Sequence, residues 1–298
     1  MERMALPLVV GVDGSDASLV AVDWATDEAA RNRLPLRLVY ASCWWRYEGP
    51  APTRGTQLPP GRTTAEYIVG SAAERARRRN LGVRVTTAVI PEDTVSALLR
   101  EGNNASVLVT GWRGRGGLTG EPDGLLLGST GLAVAARAHG PVVVVRGDSA
   151  GLAGTHARIL LGAGESDTGG EALRFALREA ETRGCVLDAV RAWRAPAPGT
   201  PAGAAPPDRP VAGYEDQAAA LLEELLREER VAHPEVQVCG VTVEGPAHWV
   251  LVERSAAADL VVVGARRRVG HFGLQLGRTD HVLLHHARCP VAIVPARV

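Results

Sequence analysis

Largely apolar runs of four to seven residues alternate along this chain with longer stretches in which apolar positions recur every three or four residues. In the first half the short runs fall at 8–13, 36–41, 83–89, 107–111 and 142–146, and the stretches between them predict helices near 18–33, 64–80, 91–101 and 129–139. Runs apolar along their whole length lack the in/out alternation of a strand with one wet face, so they read as parallel strands covered on both sides. Short strands alternating with helices imply right-handed βαβ crossovers. The second half follows the same order, with helices expected near 168–183, 214–232, 247–257 and 279–286. On the longest of these, Leu221, Leu222, Leu225 and Leu226 are expected to face the sheet, with Glu223, Glu224, Glu228 and Glu229 opposite. The predicted fold class is α/β: two tandem doubly wound domains, each a mostly parallel five-stranded sheet flanked by helices.

The halves are copies of one another. Leu8-Val-Val-Gly-Val-Asp-Gly-Ser15 matches Ile159-Leu-Leu-Gly-Ala-Gly-Glu-Ser166 at an offset of 151, Val107–Gly111 matches Leu260–Gly264 at 153, and Pro141–Val145 matches Pro290–Val294 at 149. The fall from 153 to 149 means that the first copy carries four extra residues between Gly111 and Gly128. Glu121-Pro-Asp-Gly124 is the candidate insert, because Pro and Gly mark loops. The Pro/Gly-rich stretches 49–61 and 195–213 fall at one place in the repeat, after the second strand, and read as equivalent long loops rather than linkers. Trp44 and Trp193 also read as repeat equivalents that pack over the sheet edge or line the cleft. The boundary is placed in the small-residue stretch 147–155, giving domains at 1–148 and 156–298.

Composition narrows the chemistry. All 33 basic residues are arginine, so the chain lacks the lysine of a Walker A loop, of a protein kinase strand or of a Schiff base, which removes P-loop ATPases, ordinary kinases and pyridoxal-phosphate enzymes. The arginines are balanced by 33 acids, with 17 against 15 in residues 1–148 and 16 against 18 in 149–298. Neither half is a basic arm or an acidic tail, and no nucleic-acid or membrane partner is expected. Four dispersed cysteines, an N-terminus unlike a signal peptide and the lack of a long apolar span give a cytoplasmic expectation.

In open α/β sheets, ligands bind beyond the carboxyl ends of the strands. The first strand ends in Gly11-Val-Asp13-Gly-Ser15. Asp13 either accepts hydrogen bonds from a bound ribose or base, or caps the following helix; Gly11 and Gly14 permit close backbone approach, and Ser15 or Asp16 is a further capping candidate. The fourth strand ends in Gly111-Trp-Arg-Gly114, and Gly128-Ser129-Thr130 opens the last helix. Backbone N–H groups, a hydroxyl and the positive end of a helix would there form a phosphate cradle that needs no lysine.

These residues resemble the universal stress protein family, and the resemblance spans both halves, as in a tandem two-domain member. ATP-binding members of that family show an Asp ending the first strand and a Gly-x2-Gly-x9-Gly-(Ser/Thr) signature after the fourth. The resemblance implies that Gly11 and Asp13 sit by adenosine, that Ala41 lines the base pocket, and that Gly111, Gly114, Gly128, Ser129 and Thr130 hold ribose and phosphates. Between Gly114 and Gly128 lie 13 residues instead of nine, so the insert either bulges away or brings Glu121 and Asp123 to the phosphates, where Mg²⁺ would have to bridge them. The second copy keeps nine, but Ala163 is read in the place of Asp13, Arg267 in that of Gly114 and Arg278 in that of Ser129. Its nucleotide site is therefore expected to be degenerate, with arginines 266–268 and 278 a solvated basic loop or a phosphate grip.

Asp280, His281, His285 and His286 include an i, i+4 histidine pair, but nothing is fixed opposite it, and no metal site is expected. His139 reads as a helix C-terminal residue favoured by the dipole. No positioned nucleophile or general base is evident, so no catalytic residue is named and any ATP hydrolysis should be slow. The resemblance implies an ATP-binding stress sensor or regulator acting through its N-terminal domain. The halves would dock through 142–145 and 291–294 as a pseudo-dimer, and a homodimer is compatible with this. Two alternatives stay open: a nucleotide-free protein-interaction module, and an enzyme of the related adenine-nucleotide hydrolase group.

Overall fold

The computed structural model of the protein describes residues 5–43, 60–113, 128–164, 166–195, 211–267 and 274–296. The chain divides into two compact units, with the change at Arg146 to Gly147. The first contains β1 (Leu8–Gly11), α1 (Asp16–Arg31), β2 (Leu36–Ala41), α2 (Pro60–Arg79), β3 (Val85–Ile90), α3 (Thr94–Gly102), β4 (Val107–Gly111), α4 (Ser129–Ala135) and β5 (Val142–Val145). Its strands are parallel in the order β3-β2-β1-β4-β5.

The second unit contains α5 (Ser149–Ala153), β6 (Arg158–Gly162), α6 (Ser166–Arg183), β7 (Val186–Trp193), α7 (Val211–Ala232), β8 (Val238–Glu244), α8 (Ala247–Arg254), β9 (Leu260–Arg267), α9 (Arg278–His286) and β11 (Val291–Pro295), and the two-residue β10 (Leu274–Gln275) falls at the division, with Gln275 in this unit. Five of its strands lie parallel in the order β11-β9-β6-β7-β8. Both units are thus doubly wound α/β structures built on one plan.

Burial explains the pattern of the runs. Every residue of β5 and of β11 is buried, as are Leu8, Val9 and Val10 of β1 and Ile159, Leu160 and Leu161 of β6. Strands covered on both faces have no wet position to mark with a polar residue. β3 and β8, last in their orders, do have them: Thr86, Thr87, Gly240 and Glu244 are exposed.

Element ends follow local hydrogen bonding. Ser15 caps α1 through its Oγ, which accepts from Ser18 N–H at 3.2 Å. Asp93 caps α3 by accepting from Ser96 N–H at 3.0 Å, so this helix begins three residues later than periodicity alone predicts. The third strand also begins late, because Asn80 folds 80–83 into a turn, its side chain accepting from Gly82 N–H at 2.9 Å. On α7, Leu222 and Leu226 are buried, but Leu221 is 38% exposed, because a sheet covers only part of a helix's circumference and Leu221 lies beyond the covered arc. Two guanidinium–carboxylate forks, Arg75 to Asp23 and Arg79 to Asp27, tie α2 to α1. Being exposed, such pairs contribute about 0–1 kcal/mol each.

The stretch 147–155 is rich in small residues for a packing reason. Asp148 caps α5 by accepting from Gly151 N–H at 2.9 Å, and Gly154 closes it in the left-handed region at φ 69°. Gly147 sits at φ 118°, and a Cβ there would lie 2.3 Å from the carbonyl oxygen of Arg288.

Candidate functional site

The strand orders place one switch point in each unit. In the first, β1 has β2 on one side and β4 on the other; in the second, β6 lies between β7 and β9 in the same way. Chains leaving neighbouring strands toward opposite faces open a crevice at their carboxyl ends.

In the first unit that crevice brings Gly11, Asp13 and Gly111 together. Asp13 Oδ1 accepts from the N–H and the Oγ–H of Ser15 at 2.9 and 2.6 Å, while Asp13 N–H donates to Ser18 Oγ at 3.4 Å. Asp13 therefore shapes the turn before α1, and the cap itself is Ser15. Ser15 Oγ lies 3.5 Å from the Arg113 carbonyl oxygen, linking the ends of β1 and β4. Gly14 adopts φ 81°, the left-handed conformation that favours glycine.

The glycines also have internal reasons for lacking a Cβ. One added at Gly111 would lie 2.6 Å from the Ala17 carbonyl oxygen, and one at Gly11 would lie 3.0 Å from Leu98 Cδ1. Close packing of helix on strand accounts for both, whatever approaches from outside.

Ala41, at the end of β2, is buried, and its carbonyl accepts from Thr94 Oγ1 at 2.8 Å. Gly128 is the N-cap of α4, donating its N–H to the Trp112 carbonyl at 2.8 Å, and Ser129 and Thr130 form the first turn. That bond ties the start of α4 to the residue after β4, so Gly128, Ser129 and Thr130 stand at the same strand end as Gly111. The Arg113 guanidinium lies over the Trp112 ring, 4.2 Å from its centroid. Gly114, the Glu121–Gly124 insert and Trp44 lie outside the described residues.

The second unit differs more than its sequence indicates. Val12 N–H donates to the Val39 carbonyl and Ala163 N–H to the Val190 carbonyl, both at 2.9 Å, so Ala163 is the counterpart of Val12. The residue in the place of Asp13 is therefore Gly164, which corrects the assignment of Ala163 made from sequence. The same register pairs Ala41 with Ala192, Tyr40 with Arg191 and Ser42 with Trp193, so Trp193 is not the equivalent of Trp44.

The carboxyl ends of β6, β7 and β9 enclose a cavity of about 520 Å³. Its walls include Gly162, Gly164, Val190, Leu251, Val263 and Gly264, and its charged lining residues are Arg191, Arg266 and Asp280. Arg191 Nη1 donates to the Gly164 carbonyl at 2.6 Å. Burial holds this guanidinium below its ordinary proton affinity.

Asp280 is almost fully buried, and its Oδ2 accepts from Gly277 N–H at 2.7 Å. Burial raises its carboxyl to about 6, and the Gly277 bond only partly opposes the rise. With Asp280 inward and His281 and His286 exposed, the histidine-rich end of α9 does not present one ligating face. Among the described residues no group of three or more His, Cys, Asp or Glu side chains is placed to hold a metal ion, and no helix is long and apolar enough to cross a membrane. The sequence signal for Arg191 is a cation among Ala189, Val190 and Ala192, at the carboxyl end of β7.

Comparison with known proteins agrees with this architecture. The family model described as the universal stress protein family matches residues 4–146 and again 156–295. A universal stress protein of Mycolicibacterium smegmatis is 32% identical over 296 residues, covering 97% of each chain. Universal stress protein Rv2005c of Mycobacterium tuberculosis is 33% identical over 297 residues, covering 96% of each. In fold, the chain is similar to the crystal structure of a universal stress protein from Archaeoglobus fulgidus DSM 4304, with a TM-score of 0.70 over 100% of both chains at 17% identity. With the family model matched twice and relatives alike from end to end, this chain belongs to the universal stress protein family.

Proposed function

We propose that the first unit binds ATP and that the protein acts as a nucleotide-dependent stress sensor or regulator in the cytoplasm. The observation that carries this reading is the placement of Asp13 beside Gly11 and Gly111 at the switch point of the first sheet. A carboxylate there can accept hydrogen bonds from a ribose diol, and its bonds from Ser15 to Oδ1 hold it in place. Gly128, Ser129 and Thr130 supply backbone N–H groups and hydroxyls for phosphates. These residues bind and orient a nucleotide. None is set as a nucleophile beside a general base, so the role is occupancy sensing, with hydrolysis slow at most.

Equilibrium binding of ATP with Mg²⁺ to the full chain, to Asp13→Ala and to a chain lacking 121–124 tests the proposal. Saturable binding by wild type that is lost in Asp13→Ala is expected. Absence of saturable binding by wild type overturns it in favour of a nucleotide-free interaction module.

A further inference from the structure

The switch point of the second unit has the opposite polarity to that of the first. Where β1 is followed by the carboxylate of Asp13, β6 is followed by Gly164, and the Arg191 guanidinium reaches its carbonyl. An acceptor position has become a donor position. The substitution is not isolated: in the register of the repeat Arg191 replaces Tyr40, Arg194 replaces Cys43 and Arg278 replaces Ser129, while Arg266 matches Arg113.

We propose that the cavity of the second unit is a binding site for a phosphate-bearing small molecule, gripped by Arg191 and Arg266 and requiring neither a ribose nor a base. Two observations support it beside the cavity itself. Arg191 is partly desolvated, and no carboxylate among the described residues pairs with it. A desolvated guanidinium facing a cavity gains most from an anion that can accept its planar fork of N–H groups, and phosphate oxygens match that fork.

The surrounding field is also positive. His248, next to the cavity-lining Ala247, is held below the usual histidine range first by burial and then by Arg278 and Arg194, and Arg278 lies between the lining residues Gly277 and Thr279. Against them the described lining offers one carboxylate, Asp280, already accepting from Gly277 N–H. Such an imbalance favours a compact group with two or more negative charges over a single carboxylate. The apolar walls from Val190, Leu251 and Val263 leave room for an organic body behind the charged group.

The site lies in a different unit from the proposed ATP site, and the Arg191 and Arg266 variants, which leave the first unit's phosphate cradle unaltered, separate the two. Inorganic pyrophosphate, which has neither ribose nor base, is titrated calorimetrically into the full chain. Saturable binding at one per chain, with a dissociation constant below about 1 mM, is expected, being of the order that a few charge-assisted hydrogen bonds provide. Arg191→Gln and, independently, the exposed-site variant Arg266→Gln should each weaken it roughly tenfold or more. Asp13→Ala should leave it unchanged while removing ATP binding. Succinate should bind more weakly than pyrophosphate. Thermal unfolding of each variant checks the fold, and if Arg191→Gln does not fold, Arg266→Gln carries the test. Lack of saturable pyrophosphate binding, wild-type affinity in the folded arginine variants, loss of binding in Asp13→Ala, or tighter binding of succinate each overturns the assignment.

Discussion

The two units share strand order, handedness and a switch point, but the charge placed there is reversed. In the first, Asp13 stands after β1, held by Ser15; in the second, Gly164 takes that place and Arg191 reaches over it. The helix that follows the fourth strand differs as well. α4 begins Gly128-Ser129-Thr130 with no carboxylate in its first turn, whereas α9 carries Asp280, buried against its own N-terminus. The sheets are conserved between the copies because each is a doubly covered apolar core, where few substitutions pack. The strand ends point out of that core, and away from close-packed glycines such as Gly111 the packing constrains residue identity less there. One fold thus holds two different electrostatic sites, and function has to be argued from each site separately.

The sharpest way to break the comparison is to overfill the close approaches that each unit needs. Gly111→Ala places a Cβ 2.6 Å from the Ala17 carbonyl oxygen in the first unit, and Gly147→Ala places one 2.3 Å from the Arg288 carbonyl oxygen in the second at φ 118°. Each should destabilise its own unit by about 3 kcal/mol, read as a shift of one urea transition. A shift below about 1 kcal/mol would mean that the backbones separate easily and that packing is not why glycine stands there.

Next in size is the loss of ATP affinity in Asp13→Ala, roughly 100-fold if two hydrogen bonds to a charged acceptor disappear. Asp13→Asn keeps an acceptor for Ser15 and separates turn formation from ligand recognition. If Asn and Ala lose affinity equally, the carboxylate charge itself is required.

A smaller effect depends on pH and belongs to the second unit. Asp280 ionises at about 6 when folded, against 3.8 ordinarily, so between those values the native state binds more protons than the unfolded chain. Its contribution to stability is therefore favourable at low pH, declines as pH rises from about 4 to about 6, and remains unfavourable above that. Asp280→Asn removes the buried charge while keeping an acceptor for Gly277 N–H. It should stabilise the protein by about 2 kcal/mol at pH 8 and by little at pH 4.5, measured by denaturant unfolding. Equal effects at both pH values would show that Asp280 is hydrated in solution.

The smallest difference is at the helix caps. Asp93 caps α3, whereas its counterpart α8 begins after Pro246 with no side-chain cap. Asp93→Ala should cost about 1 kcal/mol at pH 7. Backbone and side-chain bonds from Ser96 hold the Asp93 carboxyl below its ordinary value, so this difference should fade as the pH drops through the carboxylate range.

Much of this architecture was legible in the residues. Apolar runs marked the strands, and offsets near 150 marked the repeat, because the inner strands of a doubly wound sheet are shielded on both faces, while the outermost, β3 and β8, keep exposed positions. Boundaries were less legible. Asn80 delays β3 and Asp93 delays α3 through single side-chain hydrogen bonds that leave hydropathy unchanged. Leu221 was misplaced because the 3.6-residue period gives a face but not the width of the sheet beneath it.

The candidate site divides in the same way. The sequence alone determined the fold class, the duplication, the glycine and Asp13 constellation and the exclusion of lysine chemistry, since each rests on residue identity and spacing along one strand or turn. The place of Gly164, and not Ala163, opposite Asp13 follows from the 151-residue offset of the repeat, and the inter-strand hydrogen bonds confirm that register. Only the tertiary structure placed Arg191, Arg266 and Asp280 around one cavity. Those three come from β7, β9 and α9, and a site whose members lie far apart in the chain becomes visible only when the parallel sheet brings its carboxyl ends side by side.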